Sequence, residues 1–306
     1  MIIPTYQEAD AIDACLEAVE RQTFAVDQVF VVDGGSTDGT RALAAGHRGV
    51  TVIENPRRMQ SAALNLGLNA AAADVIVRVD GHCTIADDYV ERCVAALDET
   101  GAAVVGGAMT PVVAGQVQEG IAAAMASRFG AGPARFHVGG RAGWVDTVYL
   151  GAYRREDALA VGGYAEDVGV NEDAEFAHRM GRLGGVWFDP SIRSEYTPRD
   201  SLRAVGRQFY RYGRSRARTA LRHPGSVKPR QLVAPAVVVG LMSPWRRSVA
   251  GVYAASLLGA AAVDGRQLGP LGAGVYAATL PVMHLTWGAG FLIGLLRPFP
   301  APVIDS

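Results

Sequence analysis

The first two thirds of the chain alternate between short apolar runs and segments with helical spacing. The clearest run is Val29–Asp33, in which three valines predict a strand buried on both faces and the last residue is a carboxylate. Strands that alternate with helices in this way predict an α/β fold, with a mostly parallel, doubly wound sheet and helices on both faces. The predicted strands are 1–3, 29–33, 50–54, 74–80 and 103–109, and the predicted helices are 12–22, 41–45, 61–72, 87–99 and 172–183.

The chain becomes basic after residue 200. Six arginines recur there in steps of three or four, at 203, 207, 211, 214, 218 and 222. At about 100° per residue they lie within roughly a quarter turn of one helical face. The opposite side carries Leu202, Val205, Phe209 and Tyr212. This pattern predicts an amphipathic helix that either lies on anionic lipid or presents a solvated basic face.

Three apolar blocks follow, at 232–242, 248–263 and 271–296. About 20 residues are needed to cross a membrane, so the last block is long enough, the middle one is marginal and the first is too short. We therefore predict an α/β domain at 1–200, a basic interfacial helix and linker at 201–230, and membrane-associated helices at 231–306. The positive-inside rule then places the α/β domain on the cytoplasmic side of the cell membrane. The Gly- and Ala-rich stretch 111–145 predicts a lid or flexible loop.

Composition narrows the classes of function. The net charge of -1 and the pI of about 6.6 argue against a nucleic-acid-binding protein. The three cysteines form no CxxC pair, which predicts buried thiols rather than a disulfide framework or a zinc site. The chain contains neither GxGxxG nor GxxxxGK[ST], which argues against dinucleotide and P-loop ATP sites.

Carboxylates follow three of the predicted strands. Glu8 comes after the first, Asp33 ends the second and Asp80 ends the fourth. Since ligands of open α/β sheets bind beyond the carboxyl ends of the strands, these residues predict an acidic crevice. Asp33 alone reads equally well as a helix cap, but Asp38 is better placed for capping and leaves Asp33 for binding.

An acidic crevice binds a diphosphate only if a cation neutralises the charge. Asp80 and His82 lie on a tight turn and are candidate ligands for Mn²⁺ or Mg²⁺. A second acidic group, Glu172 and Asp173, stands at the start of a predicted helix. Such residues are often caps that favour the helix dipole, but a carboxylate at this place is also a candidate general base.

Four motifs in this chain occur in the order seen in glycosyltransferase family 2, whose members are inverting enzymes of the GT-A fold. They are Ile3-Pro4-Thr5-Tyr6-Gln7-Glu8, Asp33-Gly34-Gly35-Ser36-Thr37-Asp38-Gly39-Thr40, Asp80-Gly81-His82 and Glu172-Asp173. Two further segments resemble bacterial exopolysaccharide glycosyltransferases of the succinoglycan type. These segments are Gln208-Phe209-Tyr210-Arg211-Tyr212 and Met283-His284-Leu285-Thr286-Trp287-Gly288.

The resemblance implies a role for each matching residue. Pro4, Thr5, Tyr6, Glu8 and Asp33 would bind the donor nucleotide, with Asp33 at the base. Asp80 and His82 would hold the ribose and the metal on the diphosphate, although His82 stands where a second Asp is usual. Asp173, with Glu172 beside it, would be the catalytic base. Gln208 and Arg211 would lie near the diphosphate or the acceptor, with Tyr212 in place of the usual Trp.

The predicted function is that of a hexosyltransferase-type enzyme. It would pass a sugar from a nucleotide-diphosphate sugar to a lipid-linked or polysaccharide acceptor at the cytoplasmic membrane face, with Mn²⁺ or Mg²⁺ and with Asp173 as general base. Two alternatives stay open at this point. One is a polyprenyl-phosphate sugar synthase, and the other is a non-catalytic membrane scaffold that binds sugar nucleotides.

Overall fold

The computed structural model describes residues 1–132 and 134–296, which form two compact units. The first unit comprises Met1–Thr110 and Gly139–Tyr196, and the second comprises Pro111–Val138 together with 197–296. The boundary predicted at residue 200 assigned 111–138 to the α/β domain, whereas the structure groups it with the C-terminal helices. Residue 133, in the predicted lid, and residues 297–306, at the end of the predicted membrane-associated region, lie outside the described residues.

The elements are as follows. The strands are β1 (Ile2–Thr5), β2 (Val29–Asp33), β3 (Val50–Glu54), β4 (Val75–Val77), β5 (Thr84–Ile85), β6 (Val104–Pro111), β7 (Gly143–Val145), β8 (Tyr149–Arg154) and β9 (Val186–Tyr196). The helices are α1 (Ile12–Glu20), α2 (Thr40–Gly46), α3 (Gln60–Ala70), α4 (Tyr89–Thr100), α5 (Gln116–Ala126), α6 (Arg135–Val138), α7 (Arg155–Ala160), α8 (Glu172–Gly184), α9 (Leu202–Arg222), α10 (Val233–Met242), α11 (Arg246–Asp264) and α12 (Pro270–Leu296).

The N-terminal part of the first unit is the predicted parallel sheet. β1, β2 and β3 pair in parallel in that order, and every residue of β2 is buried. The register places Thr5 opposite Asp33, so β1 and β2 end side by side. Helices α1 and α2 connect these strands and α3 follows β3, which confirms the α/β class and the predicted alternation.

The rest of the first unit departs from the predicted mostly parallel sheet. Its strands run in the order β4-β8-β6-β9-β5, with β7 also paired to β9. The pairs β4–β8, β5–β9, β6–β8 and β7–β9 are antiparallel. A single parallel bridge, Ile2 to Arg78, joins this sheet to β1. Apolar runs indicate burial of a strand but carry no information about its direction, so the sequence did not reveal these antiparallel pairs.

The second unit has a core of its own. It is formed by side chains of α5, α9, α11 and α12, among them Ile121, Met125, Phe209, Tyr276 and Met283. The predicted lid or loop at 111–145 is therefore wrong, because this stretch contains α5, α6 and β7. Alanines and glycines concealed the helical period of α5, although Ile121, Ala124 and Met125 pack on one side.

The basic helix and the apolar helices form at the predicted positions, although Arg214 and Arg218 are only half-exposed. Along α9, Val205 and Phe209 are buried, while Arg203, Arg207 and Arg211 are exposed. Two segments, Arg246–Gln267 and Pro270–Leu296, are long and apolar enough to cross a membrane, and Pro229–Met242 is a shorter apolar segment.

Candidate active site

The ends of β1 and β2 are locked together by Asp33. Its Oδ1 accepts hydrogen bonds from the backbone N–H groups of Gly35 (3.0 Å) and Ser36 (2.9 Å). Its Oδ2 accepts from the hydroxyls of Ser36 (2.5 Å) and Thr5 (3.3 Å). The Asp33 carboxylate is fully buried and closes its own turn, so the prediction that capping by Asp38 leaves it free is wrong.

Asp38 does support the start of α2, as expected. Its Oδ1 accepts from the backbone N–H (3.0 Å) and the hydroxyl (2.6 Å) of Thr40. The segment after β1 is fastened to the same turn, because the N–H of Gln7 donates to Ser36 Oγ (2.8 Å) and that of Glu8 to Thr40 Oγ1 (2.9 Å). The two loops that carry the first two motifs therefore form one hydrogen-bonded wall.

Tyr6 and Pro4 complete this wall. A Cβ placed on Gly34 would lie 3.3 Å from Tyr6 Cδ2, so the Tyr6 ring packs on the glycine turn. A Cβ on Gly81 would lie 2.7 Å from Thr5 Cγ2 and 3.5 Å from the carbonyl oxygen of Pro4. Glycine at position 81 thus allows the turn that follows Asp80 to press against the end of β1.

Asp80 and His82 are held on this turn. The N–H of Cys83 donates to the carbonyl oxygen of Asp80 (2.9 Å), which closes the turn. His82 Nδ1 lies 2.9 Å from Glu8 Oε1, and about half of the His82 side chain is exposed. The structure therefore brings Glu8, Asp33 and Asp80 to the same edge of the first unit.

Arg78 connects this edge to the second acidic motif. Its Nε and Nη2 donate to Asp80 Oδ1 (2.9 Å) and Oδ2 (3.3 Å), and its Nη1 lies 2.9 Å from Glu172 Oε1. Gln60 Nε2 also donates to Asp80 Oδ1 (3.1 Å). Arg78 and Glu172 are both almost completely buried. One guanidinium thus holds carboxylates from two chain segments more than 90 residues apart.

The pKa values of the three carboxyl groups diverge. Burial opposes the charge of Asp80, but the charge and hydrogen bonds of Arg78 outweigh it and lower the pKa of Asp80. Burial raises the pKa of Glu172 despite the attraction of Arg78, and the adjacent Asp173 raises it further. Burial also raises the pKa of Asp173, against the effect of Arg78. At neutral pH Asp80 is therefore ionised, whereas the Glu172–Asp173 pair holds protons more tightly than ordinary carboxyl groups.

Asp173 is half-buried, at the start of α8 and beside a small cavity lined by aromatic rings. Asn171 adopts a left-handed conformation (φ 62°) at the start of α8, and the N–H of Ala174 donates to Asp173 Oδ1 (2.7 Å). The Tyr164 and Phe176 rings, stacked with centroids 4.1 Å apart, line a cavity beside Asp173. The cavity volume of ≈ 10 Å³ admits no more than about one water molecule.

Gln208 and Arg211 lie in the second unit, on α9. Gln208 Nε2 donates to the hydroxyl of Tyr212 (2.7 Å), and Arg211 is exposed. Their assignment to the diphosphate or the acceptor stays a prediction.

Sequence reasoning missed Arg78 and Gln60. A signal for Arg78 was present, because it is a cation within the otherwise apolar run Val75-Ile76-Val77-Arg78-Val79. A buried charge of this kind requires a partner, and the neighbouring Asp80 was the obvious one. Gln60 carries no comparable signal, because an amide at the start of a helix is common on protein surfaces.

Known proteins resemble this chain over much or nearly all of its length. The model of the family described as Glycosyl transferase family 2 matches residues 1–159. The succinoglycan biosynthesis protein ExoA of Rhizobium meliloti (strain 1021) is 36% identical over 315 aligned positions, which cover 97% of this chain and 94% of that protein.

Two solved structures share the fold. The mannosyltransferase PcManGT from Pyrobaculum calidifontis, in complex with GDP-Man and Mn²⁺, superimposes with a TM-score of 0.61 at 21% identity, over 96% of this chain and 86% of that one. Residues 1–349 of S. aureus TarS, in complex with UDP, give a TM-score of 0.54 at 18% identity, over 93% and 88% of the two chains. The chain thus has the GT-A fold and belongs to glycosyltransferase family 2.

Proposed function

We propose that this glycosyltransferase inverts the anomeric centre as it moves a sugar from a nucleotide-diphosphate sugar to a lipid-linked or polysaccharide acceptor. The observation that carries this proposal is the bridge that Arg78 makes between Asp80 and Glu172. It joins the turn suited to the diphosphate to the helix that carries the candidate base. A donor bound beside Asp80 then has a carboxylate pair within the same site.

Asp173 is the group best suited to act as the base. It takes the proton of the acceptor hydroxyl, and the oxygen attacks the anomeric carbon from the face opposite the diphosphate. The bond from that carbon to the diphosphate oxygen breaks as the new bond forms, and the nucleoside diphosphate leaves with the electron pair. The raised pKa of Asp173 supports this role, since a base is most effective when its pKa approaches the working pH.

The donor nucleotide would lie against the wall formed by Pro4, Thr5, Tyr6, Glu8 and Asp33. The two solved relatives bind GDP-Man and UDP, which supports a nucleoside diphosphate in this chain as well. Because Asp33 already closes the turn, its contribution to binding the base includes the shape of that turn.

A divalent cation, Mn²⁺ or Mg²⁺, fits the residues at the diphosphate end. Asp80 is ionised, and its Oδ2 accepts a single hydrogen bond from the described residues, which leaves a lone pair for a metal. His82 supplies a nitrogen on the same turn. Within 1–132 and 134–296 no three His, Cys, Asp or Glu residues are arranged around a metal, so water and diphosphate oxygens must complete the shell. When bound, the cation neutralises the charge of the departing diphosphate.

The acceptor is a membrane-bound glycan intermediate in this proposal. The relative with near full-length similarity takes part in succinoglycan biosynthesis, and the apolar helices of the second unit support attachment to a membrane. In this proposal the catalytic unit is cytoplasmic, because arginines cluster on α9 and the cytoplasmic leaflet carries the anionic lipid that attracts them. No contact with nucleic acid is part of this function.

The test is transfer by the variant Asp173→Asn. Sugar transfer is measured with a panel of nucleotide-diphosphate sugars on membranes that contain the full chain, with released nucleoside diphosphate as readout. We expect loss of 10²- to 10⁴-fold in kcat, the range for removal of a general base, with little change in donor affinity. The matched control is Asp98→Asn, an exposed aspartate on α4 paired with Arg154.

Each result has a distinct meaning. Full turnover by Asp173→Asn would contradict the base assignment and favour a lipid phosphate acceptor, which is already ionised and needs no base. Binding of a donor without turnover of any acceptor would contradict the transfer function of this chain as a whole.

A further inference from the structure

The second unit exposes apolar side chains along α10 and α11. Met242, Val252 and Leu258 are 84%, 70% and 72% exposed. Such a surface is suited to lipid. Whether these helices cross the membrane or lie on it depends on the contacts that fix the ends of α10, α11 and α12 within this unit.

The apolar helix α12 is packed along the arginine-bearing helix α9. A Cβ on Gly294 would lie 2.8 Å from the carbonyl oxygen of Arg214, and Cβ atoms on Gly213 and Gly290 would collide with the backbone of the other helix. The exposed Arg207 and Arg211 lie on this same stretch of α9. If α12 crossed a bilayer, it would carry these arginines into the hydrocarbon, where they are costly.

The C-terminal end of α11 is tied to α5. Asp264 Oδ2 accepts hydrogen bonds from the hydroxyls of Ser127 (2.6 Å) and Tyr276 (2.9 Å). Ser127 follows directly after α5, which begins with polar residues and measures about 16 Å along its axis. A helix of this length does not cross a hydrocarbon core of about 30 Å. Asp264 and the start of α5 therefore lie on the same side of a membrane.

The start of the α10 segment is tied to α9. Arg216 donates from Nε (3.2 Å) and Nη2 (3.0 Å) to Gln231 Oε1. From there Pro229–Met242 extends only about 21 Å, which is shorter than the hydrocarbon core. Trp245, in the turn that follows, and Arg246 and Arg247, at the start of α11, therefore do not reach the opposite face.

We propose that the second unit attaches to a single leaflet and that no helix of the described chain crosses the membrane. The exposed apolar side chains of α10 and α11 enter the acyl region, while Trp245, Arg246 and Arg247 lie among anionic headgroups. This inference rests on the membrane attachment in the proposed function and specifies its form. It replaces the two or three spans that length and hydropathy alone allow.

Single cysteines and a membrane-impermeant maleimide test this topology. Leu221→Cys, Arg246→Cys and Arg266→Cys are compared in sealed inside-out and right-side-out vesicles, since all three positions are exposed. The unmodified chain is the background control, because Cys15, Cys83 and Cys93 are buried. We expect Leu221→Cys and Arg266→Cys to react with maleimide on the same side of the membrane. Arg246→Cys should react from that side or not at all. Reaction of Arg246→Cys or Arg266→Cys from the side opposite Leu221→Cys overturns the proposal.

Lipid binding by the purified chain gives the second measurement. We expect Arg246→Gln with Arg247→Gln to weaken binding to vesicles of phosphatidylglycerol and phosphatidylcholine by roughly fivefold per arginine. Binding to pure phosphatidylcholine should be unchanged, and Arg48→Gln in the first unit is the charge control. Absence of vesicle binding by the wild-type chain overturns the proposal. Sugar transfer assayed in detergent shows independently whether the catalytic function stands.

Discussion

At the scale of single residues, Arg78 is the feature on which the site depends. Arg78 is a buried cation that forms ion pairs with the carboxylates of Asp80 and Glu172, and both of these residues are themselves buried. Removing one partner of a buried ion pair leaves an uncompensated charge, which is far more costly than losing a surface pair. The residue therefore links the stability of the fold to the positions of the groups that we assign to chemistry.

We expect Arg78→Met to lower the free energy of unfolding by about 3–5 kcal/mol, measured by urea denaturation. Arg78→Lys keeps the charge but not the forked geometry, so it should fold and lose roughly 10- to 100-fold in kcat/KM, as for other groups that orient a metal ligand. Arg154→Lys, at an exposed pair with Asp98, is the matched control. Wild-type stability and turnover in both Arg78 variants would refute this role.

The acidic limb of the pH profile is the second prediction at this scale. Asp173 acts as a base only when deprotonated, and burial raises the pKa values of Asp173 and of Glu172, the latter to about 7. The activity should therefore fall as the pH is lowered through the raised pKa values of the pair. We expect kcat/KM to decline already at a higher pH than the range of about pH 4–5 in which an ordinary carboxyl group titrates.

The measurement is kcat/KM for a fixed donor between pH 5 and 9, with Glu172→Gln as the comparison. Because the charge of Glu172 disfavours ionisation of its neighbour, its removal should move the limb of the profile to lower pH. A wild-type profile that stays flat down to pH 5 would show that neither carboxyl group titrates as the geometry implies.

At the scale of elements, the sequence predicted strands and helices better than it predicted their pairing. The strand at 29–33 and the helix near 172–183 were found almost at their observed bounds, because full burial and helical period both leave a local pattern. The antiparallel sheet was missed because β8 and β9 pair across long sequence separations. No local sequence pattern distinguishes a strand that pairs in parallel from one that pairs antiparallel.

The candidate site shows the same limit. The carboxylates Glu8, Asp33, Asp80 and Asp173 could be selected from the sequence, because each ends or follows a strand or begins a helix. Their partners could not, because a partner is defined by tertiary contact. Asp33 was expected to be free and is instead buried in its own turn, and Arg78 was read as part of a strand. Predicting a charge is easier than predicting what neutralises it.

At the scale of the whole molecule, the chain combines two units with separate cores. The core of the first includes Ile3, Val31 and Leu97, and that of the second includes Phe209 and Leu280. All the carboxylates assigned to donor and metal binding belong to the first unit, whereas the apolar helices belong to the second. A nucleotide should therefore stabilise the two units unequally.

Thermal unfolding in detergent tests whether nucleotide stabilises the first unit more than the second. With UDP or GDP and Mn²⁺ at about 100 times the dissociation constant, binding adds roughly 2.7 kcal/mol to the unit that binds, or about 5–10 °C in its Tm at this size. Chelator or Asp80→Asn should abolish most of this shift, whereas Asp98→Asn should keep it. Only the transition of the first unit should move. A shift of full size in the presence of chelator would contradict the placement of the cation at Asp80 and His82, because nucleotide binding would then need no metal charge on that turn.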